Sequence, residues 1–91
     1  MNPTGESNVW SIEVLLTETT DLTEAEAVLG VGTDRYVGWG RARRNPADPG
    51  IPRIGEELAT ARALSDLAHK LLDTAASAIE AFEGRPVHPH P

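Results

Sequence analysis

Arg41, Arg43 and Arg44, with Trp39 just ahead of them, are the residues whose types and spacing come closest to a chemistry. A basic strand carrying an aromatic ring can hold phosphates and stack a base. The same residues suit a plainer arrangement, with Arg41 and Arg43 facing Glu26 and Glu24 across two strands of a solvated sheet face. That arrangement is the one expected, because the strand register argued below produces both pairs unforced. His69 stands between Asp66 and Asp73 at helical spacings, where an Asp-x-x-His pair could supply two metal ligands. One helix without a second ligand pair makes a poor metal site. A surface histidine among local charge pairs is the expected reading, as Asp66 with Lys70 at i, i+4 also suggests. His88 and His90 in the C-terminal tail could touch a metal weakly, as any such tract might.

Nucleophilic catalysis finds no support. The chain has no cysteine, and Ser65 and Ser77 fall within a helical pattern without an evident base. Gly30–Gly32 and Gly38–Gly40 are not phosphate loops, since the first precedes a hairpin turn and the second sits inside a strand. No catalytic residue, metal site or cofactor is expected, and the chain is read as a non-enzyme.

The elements that would position these residues follow from composition and periodicity. Ninety-one residues make one domain, expected over residues 9–84, with tails at 1–8 and 85–91. The absence of cysteine suits a reducing compartment. No apolar run approaches the roughly 20 residues needed to span a bilayer, and the start lacks the basic and apolar parts of a signal peptide. A soluble cytoplasmic protein without a membrane partner is expected. The net charge of −6 is uneven: residues 1–34 hold seven acids and no Lys or Arg, whereas residues 35–53 hold five arginines against Asp48. The acidic total disfavours nucleic acid as a partner, and the local basic stretch keeps it as the alternative.

Three runs alternate with period two: Val9–Glu18, Thr23–Val31 and Tyr36–Arg43. Trp10, Ile12, Val14 and Leu16 share one face of the first, and Ala25, Ala27, Leu29 and Val31 one face of the second. Closing the second hairpin symmetrically around Thr33 and Asp34 sets Glu26 opposite Arg41, Glu24 opposite Arg43 and Val28 opposite Trp39. On the other face it sets Ala27 opposite Gly40 and Ala25 opposite Ala42. A one-residue slip would mix the two faces. After the break at NPADPG, Leu58, Ala61, Ser65, Ala68, Leu72, Ala75, Ile79 and Phe82 recur at spacings of three and four, widened by Leu64, Leu67 and Leu71. This stripe is expected to cover the sheet, with Ala61 and Ala68 meeting Gly38, Gly40 and Ala42 at close range. Glu56 and Glu57 are placed in the first helical turn, favoured by the helix dipole, and Gly84 at its stop.

The segments Thr23–Leu29, Val37–Asp48 and Ile54–Leu71 resemble, at matching spacing, a domain-of-unknown-function family of small actinobacterial proteins with mycobacterial and streptomycete members. The resemblance covers most of the chain between the tails. It implies a β-β-β-α fold likened to the double-stranded-RNA-binding domain without its first helix, and it implies no activity. A true RNA-binding member of that fold presents a lysine cluster at the start of the helix. Here Gly55, Glu56 and Glu57 stand there, and two carboxylates would repel phosphates.

The expected fold is therefore α+β, a three-stranded antiparallel meander packed against one long C-terminal helix. The helix outruns the strands, so Ile79 and Phe82 are expected to be partly uncovered in a monomer. Trp39, beside Val28 and near Leu15 and Val37, forms a small exposed apolar patch that reads equally as a contact surface or as simple sheet packing. The expected function is an interaction module that self-associates through the open sheet face, the helix overhang or both. Its candidate surface is Trp39, Val28, Arg41, Arg43, Ile79 and Phe82, with a homo-oligomer or another protein as partner. The alternative is a nucleic-acid-binding domain using the arginines of the third strand.

Overall fold

A computed structural model describes residues 5–43 and 52–83. The expected tails, Arg44, the NPADPG break, Gly84, His88 and His90 lie outside the described residues in whole or in part. Strands β1 (Ile12–Glu18), β2 (Leu22–Val31) and β3 (Asp34–Arg43) form one antiparallel sheet in the order β1-β2-β3, and helix α1 (Pro52–Glu83) follows. The α+β meander with one C-terminal helix is as the alternation and the helical period predict. β1 begins at Ile12 rather than Val9. Its partner strand explains this, because Trp10 and Val9 would fall opposite the end of β2 and the turn after it.

The β2–β3 register differs from the expected one by two residues. Val31 pairs with Asp34, so the loop is Gly32–Thr33, one residue earlier than the expected centre. Gly32 has φ of +60° and Thr33 does not have a positive φ. That combination is the type II′ hairpin turn, whose twist matches the strands and whose first central position favours glycine. Glu24 therefore faces Arg41, Glu26 faces Trp39, Val28 faces Val37, and Ala25 and Ala27 face Gly40 and Gly38. The expected Glu26–Arg41, Glu24–Arg43 and Val28–Trp39 pairs are corrected. A two-residue shift keeps every side chain on its expected face, and face alternation alone cannot detect it.

Helix α1 opens on Pro52, whose fixed φ and missing N–H suit the first helical position. Alanine and leucine dominate the rest, with few β-branched residues to resist it. Because it starts at Pro52, no acidic residue lies in its first turn. Glu56 and Glu57 sit in the second turn, beyond the reach of most of the dipole effect, and Glu57 instead pairs with Arg53 at 3.2 Å.

The face that α1 turns to the sheet is a second correction. Ala59, Ala63 and Leu67 are buried against Ala25, Ala27, Leu29 and Ala42, with Val14, Val31, Tyr36 and Leu71 at the margin. Ala61 and Ala68, expected at the close contact, are exposed. The cause is the glycine pair of β3. A Cβ built on Gly40 would overlap the Ala59 carbonyl oxygen and the Ala63 nitrogen, and one on Gly38 would lie 2.7 Å from Leu67 Cβ. The helix backbone rests on these glycines, with Ala59 and Ala63 over Gly40 and Ala63 and Leu67 over Gly38. The expected close approach is present, but the stripe at Leu58, Ala61, Ser65, Ala68, Ala75, Ile79 and Phe82 faces solvent.

Candidate functional site

The outer sheet face, away from α1, carries the tempting residues. Trp39 is 56% exposed and Leu15 52% exposed. Both lie in one cross-strand row with Glu26 between them, flanked by the half-buried pair Val28 and Val37. Trp39, Leu15, Val28 and Val37 share this face, but Glu26 rather than Val28 is the direct neighbour of Trp39 and separates it from Leu15. Glu26 reaches Arg35 at 3.7 Å. Among the described residues, Arg41 and Arg43 form no ion pair, so the cross-strand pairs expected to neutralise them are absent. An open depression of about 300 Å³ is lined by Glu24, Trp39, Gly40, Arg41 and Arg62. It is too shallow and too mixed in charge to read as a catalytic pocket.

The two edges of the sheet are treated differently. In the β2–β3 ladder, Val31 and Asp34 close the two-residue turn as a hydrogen-bonded pair. Alternation then turns the backbone groups of Val37, Trp39 and Arg41 away from β2, onto the free edge. Helix side chains meet all three. The Trp39 N–H donates to Asp66 Oδ2 at 2.8 Å, Arg62 donates to the Arg41 carbonyl at 2.7 Å, and Lys70 Nζ donates to the Val37 carbonyl at 2.7 Å. Lys70 also pairs with Asp66 at 3.0 Å. The β3 edge is closed by its own helix. The i, i+4 spacing predicts the Asp66–Lys70 pair, but nothing in the spacing predicts their second partners, which lie 27 and 33 residues away.

The Trp39 N–H, and after it the Lys70 hydrogen bond, hold the Asp66 carboxyl below its ordinary 3.8, against a smaller opposing effect of desolvation. A carboxyl lowered in the folded state stabilises the fold above the unfolded-state value, and loses that contribution as pH falls through the folded value. Asp66→Asn is therefore expected to unfold more easily at neutral pH and to lose less stability than the native chain on acidification below about pH 4. Denaturant titrations of both proteins at several pH values check this. Parallel curves would show that Asp66 does not cap the edge.

His69 donates from Nδ1 to the Ser65 carbonyl at 2.8 Å within its own helix. Among the described residues no group of His, Asp and Glu converges as a metal site. Ile79 is 43% exposed and Phe82 92% exposed. Ile54 and Leu58, both about half exposed, lie on the solvent side of α1 at its other end, with Ala61, Ser65, Ala68 and the half-buried Leu72 between the two pairs. No helix among the described residues is long and apolar enough to cross a membrane. The structure does not gather the six expected surface residues into one site. Trp39, Val28, Arg41 and Arg43 share the outer sheet face, whereas Ile79 and Phe82 lie on the helix that covers the opposite face.

The sequence profile of the Rv2632c-like family matches residues 8–88. An uncharacterised Mycobacterium tuberculosis protein, Rv2632c, is 47% identical over 76 residues, covering 84% of this chain and 82% of its own length. The uncharacterised Mycobacterium bovis protein Mb1767 is 43% identical over 77 residues, covering 85% of this chain and 82% of its own. The crystal structure of Rv2632c superposes with a TM-score of 0.83 at 42% identity, covering 91% of this chain and 99% of that one.

Proposed function

The chain belongs to the Rv2632c-like family, and on that footing we propose that it is a non-enzymatic interaction module that self-associates. The observation that carries this reading is the exposed apolar residues at the two ends of α1. Ile54, Leu58, Ile79 and Phe82 are between 43% and 92% exposed, while the sheet is covered by alanines. Exposed apolar residues on a helix that already has a packed face mark a contact surface where they gather, as Ile54 with Leu58 and Ile79 with Phe82 do at its two ends. On the other side of the sheet Trp39 and Leu15 are exposed on either side of Glu26, and tryptophan is a favoured interface anchor.

Co-purification from a native host with a nuclease-treated control tests this. A stoichiometric protein partner, or the chain itself, that survives nuclease supports the module. Trp39→Ala and Phe82→Ala are expected to change unfolding free energy by less than about 1 kcal/mol, as exposed positions do, while lowering partner recovery. If both variants retain every interaction, the exposed apolar residues are only structural.

A second reading has one observation in its favour: among the described residues Arg41 and Arg43, beside Trp39, form no ion pair, although Glu24 faces Arg41. It is a nucleic-acid contact by β3. Such binding should fall steeply between about 50 and 200 mM salt. No binding at low salt rejects it.

A further inference from the structure

The β1 edge stands in contrast to the capped β3 edge, and its chemistry suggests what meets it. The Thr19 N–H donates to the Leu22 carbonyl at 2.8 Å, so Thr19 and Leu22 form a hydrogen-bonded pair. Alternation along the β1–β2 register then turns the backbone groups of Glu13, Leu15 and Thr17 toward β2. Those of Ile12, Val14, Leu16 and Glu18 point to the open side. Among the described residues no side chain bonds to them, and α1, which lies over β3 and β2, barely reaches β1. β1 has no proline, lysine or bulge to blunt its edge. An apolar, unprotected edge of this kind is a template for another strand.

The side chains favour one kind of strand. Ile12, Val14 and Leu16 lie on the face that α1 covers elsewhere, yet Ile12 is 45% and Leu16 41% exposed. Their pattern reads alike in both directions around Val14. From this we infer that two copies of this chain join antiparallel through β1, about a twofold axis that passes beside Val14. Val14 faces Val14 of the second copy, and Ile12 faces Leu16 of the second copy. All three are residues whose N–H and C=O point outward, so each facing pair can exchange both backbone bonds. Centring the axis on Leu15 instead would set Ile12 against Glu18. In the Val14 register Glu13 meets Leu15, on the outer face. The result is a six-stranded sheet with both helices on one side, because a twofold axis normal to the sheet preserves its faces. The helix ends and the outer face around Trp39 are then presented twice.

This inference rests on the self-association proposed above, and the tests separate the two. Because the chain has no cysteine, Val14→Cys and Leu15→Cys each introduce a single thiol. Facing residues of a hydrogen-bonded pair have Cα atoms about 5.5 Å apart, within the roughly 4.4–6.8 Å a disulfide spans. The two Leu15 residues would be roughly 8 Å apart and too far. Mild oxidation is expected to convert Val14→Cys, but not Leu15→Cys, into a covalent dimer. Val14→Pro removes an N–H that bonds nothing within one chain, and should raise the dimer dissociation constant on the order of a hundredfold. Its circular dichroism spectrum should be unchanged. If that variant fails to fold, the two cysteine variants still decide. A native chain that sediments as a dimer while Val14→Cys stays monomeric, or while Leu15→Cys cross-links instead, overturns the β1 interface and leaves self-association standing. A native chain that is monomeric at every concentration overturns both.

Discussion

Gly40→Ala is expected to destabilise the fold by about 3 kcal/mol or more, at or beyond the usual upper end for overpacking. Two effects compete at this position. Replacing glycine restricts the unfolded chain and ordinarily stabilises by about 0.4–1 kcal/mol. Against this, the added Cβ would overlap the Ala59 carbonyl and the Ala63 nitrogen and lie 2.9 Å from the Arg62 carbonyl carbon. These are helix backbone atoms, which cannot move aside as a flexible side chain could, so the helix must lift from the sheet. For a domain of this size the midpoint of thermal unfolding should fall on the order of 10–20 °C. Gly30→Ala is the control, because nothing lies within 4 Å of a Cβ there; it should match or exceed the native chain by up to about 1 kcal/mol. Equal stabilities for the two variants would show that the helix does not rest on β3.

Leu67→Ala should cost about 2–5 kcal/mol, the range for emptying a buried leucine site. Among the described residues only Leu29 and Leu67 are both large and fully buried; the rest of the core cluster is alanine. A domain of this length has roughly 5–14 kcal/mol to lose, so this one truncation removes a large share. Leu58→Ala, at a side chain 46% exposed, should cost less than about 1 kcal/mol. Urea unfolding of the two variants separates the helix faces. A larger loss at Leu58 than at Leu67 would restore the expectation that the Leu58–Phe82 line covers the sheet.

Why that expectation arose is a matter of size against shape. Leu58, Leu72, Ile79 and Phe82 make the larger apolar stripe, and burying area favours the larger stripe. The glycines of β3 reverse the preference, because they let the helix backbone come down on the face that carries Ala59, Ala63 and Leu67. Gly38 and Gly40 were legible as a close approach; which helix residues met them was not. The strands were legible as faces. Alternation placed Ala25, Ala27 and Leu29 on the core side and Trp39 and Arg41 outside, as the structure has them. The register was not, because the turn at Gly32–Thr33 is set by a backbone angle that a two-residue shift leaves invisible in the pattern. Trp39 is exposed as its strand face predicts, whereas Phe82 is exposed because its whole stripe faces solvent and not, as expected, because the helix outruns the sheet. The capping of the β3 edge by Arg62, Asp66 and Lys70 was not legible, since it joins charged helix residues to bare backbone groups far along the chain.

Self-association without nucleic acid is the central claim, and sedimentation equilibrium of the native chain at about 50 and 200 mM salt tests it most directly. Two copies each bearing a net charge of −6 repel one another, so added salt should strengthen their association or leave it unchanged. The account predicts a reversible species of twice the 9.8 kDa chain mass, at least as stable at the higher salt. A 9.8 kDa monomer at all concentrations, or an assembly that carries nucleic acid and falls apart as salt rises, would contradict it.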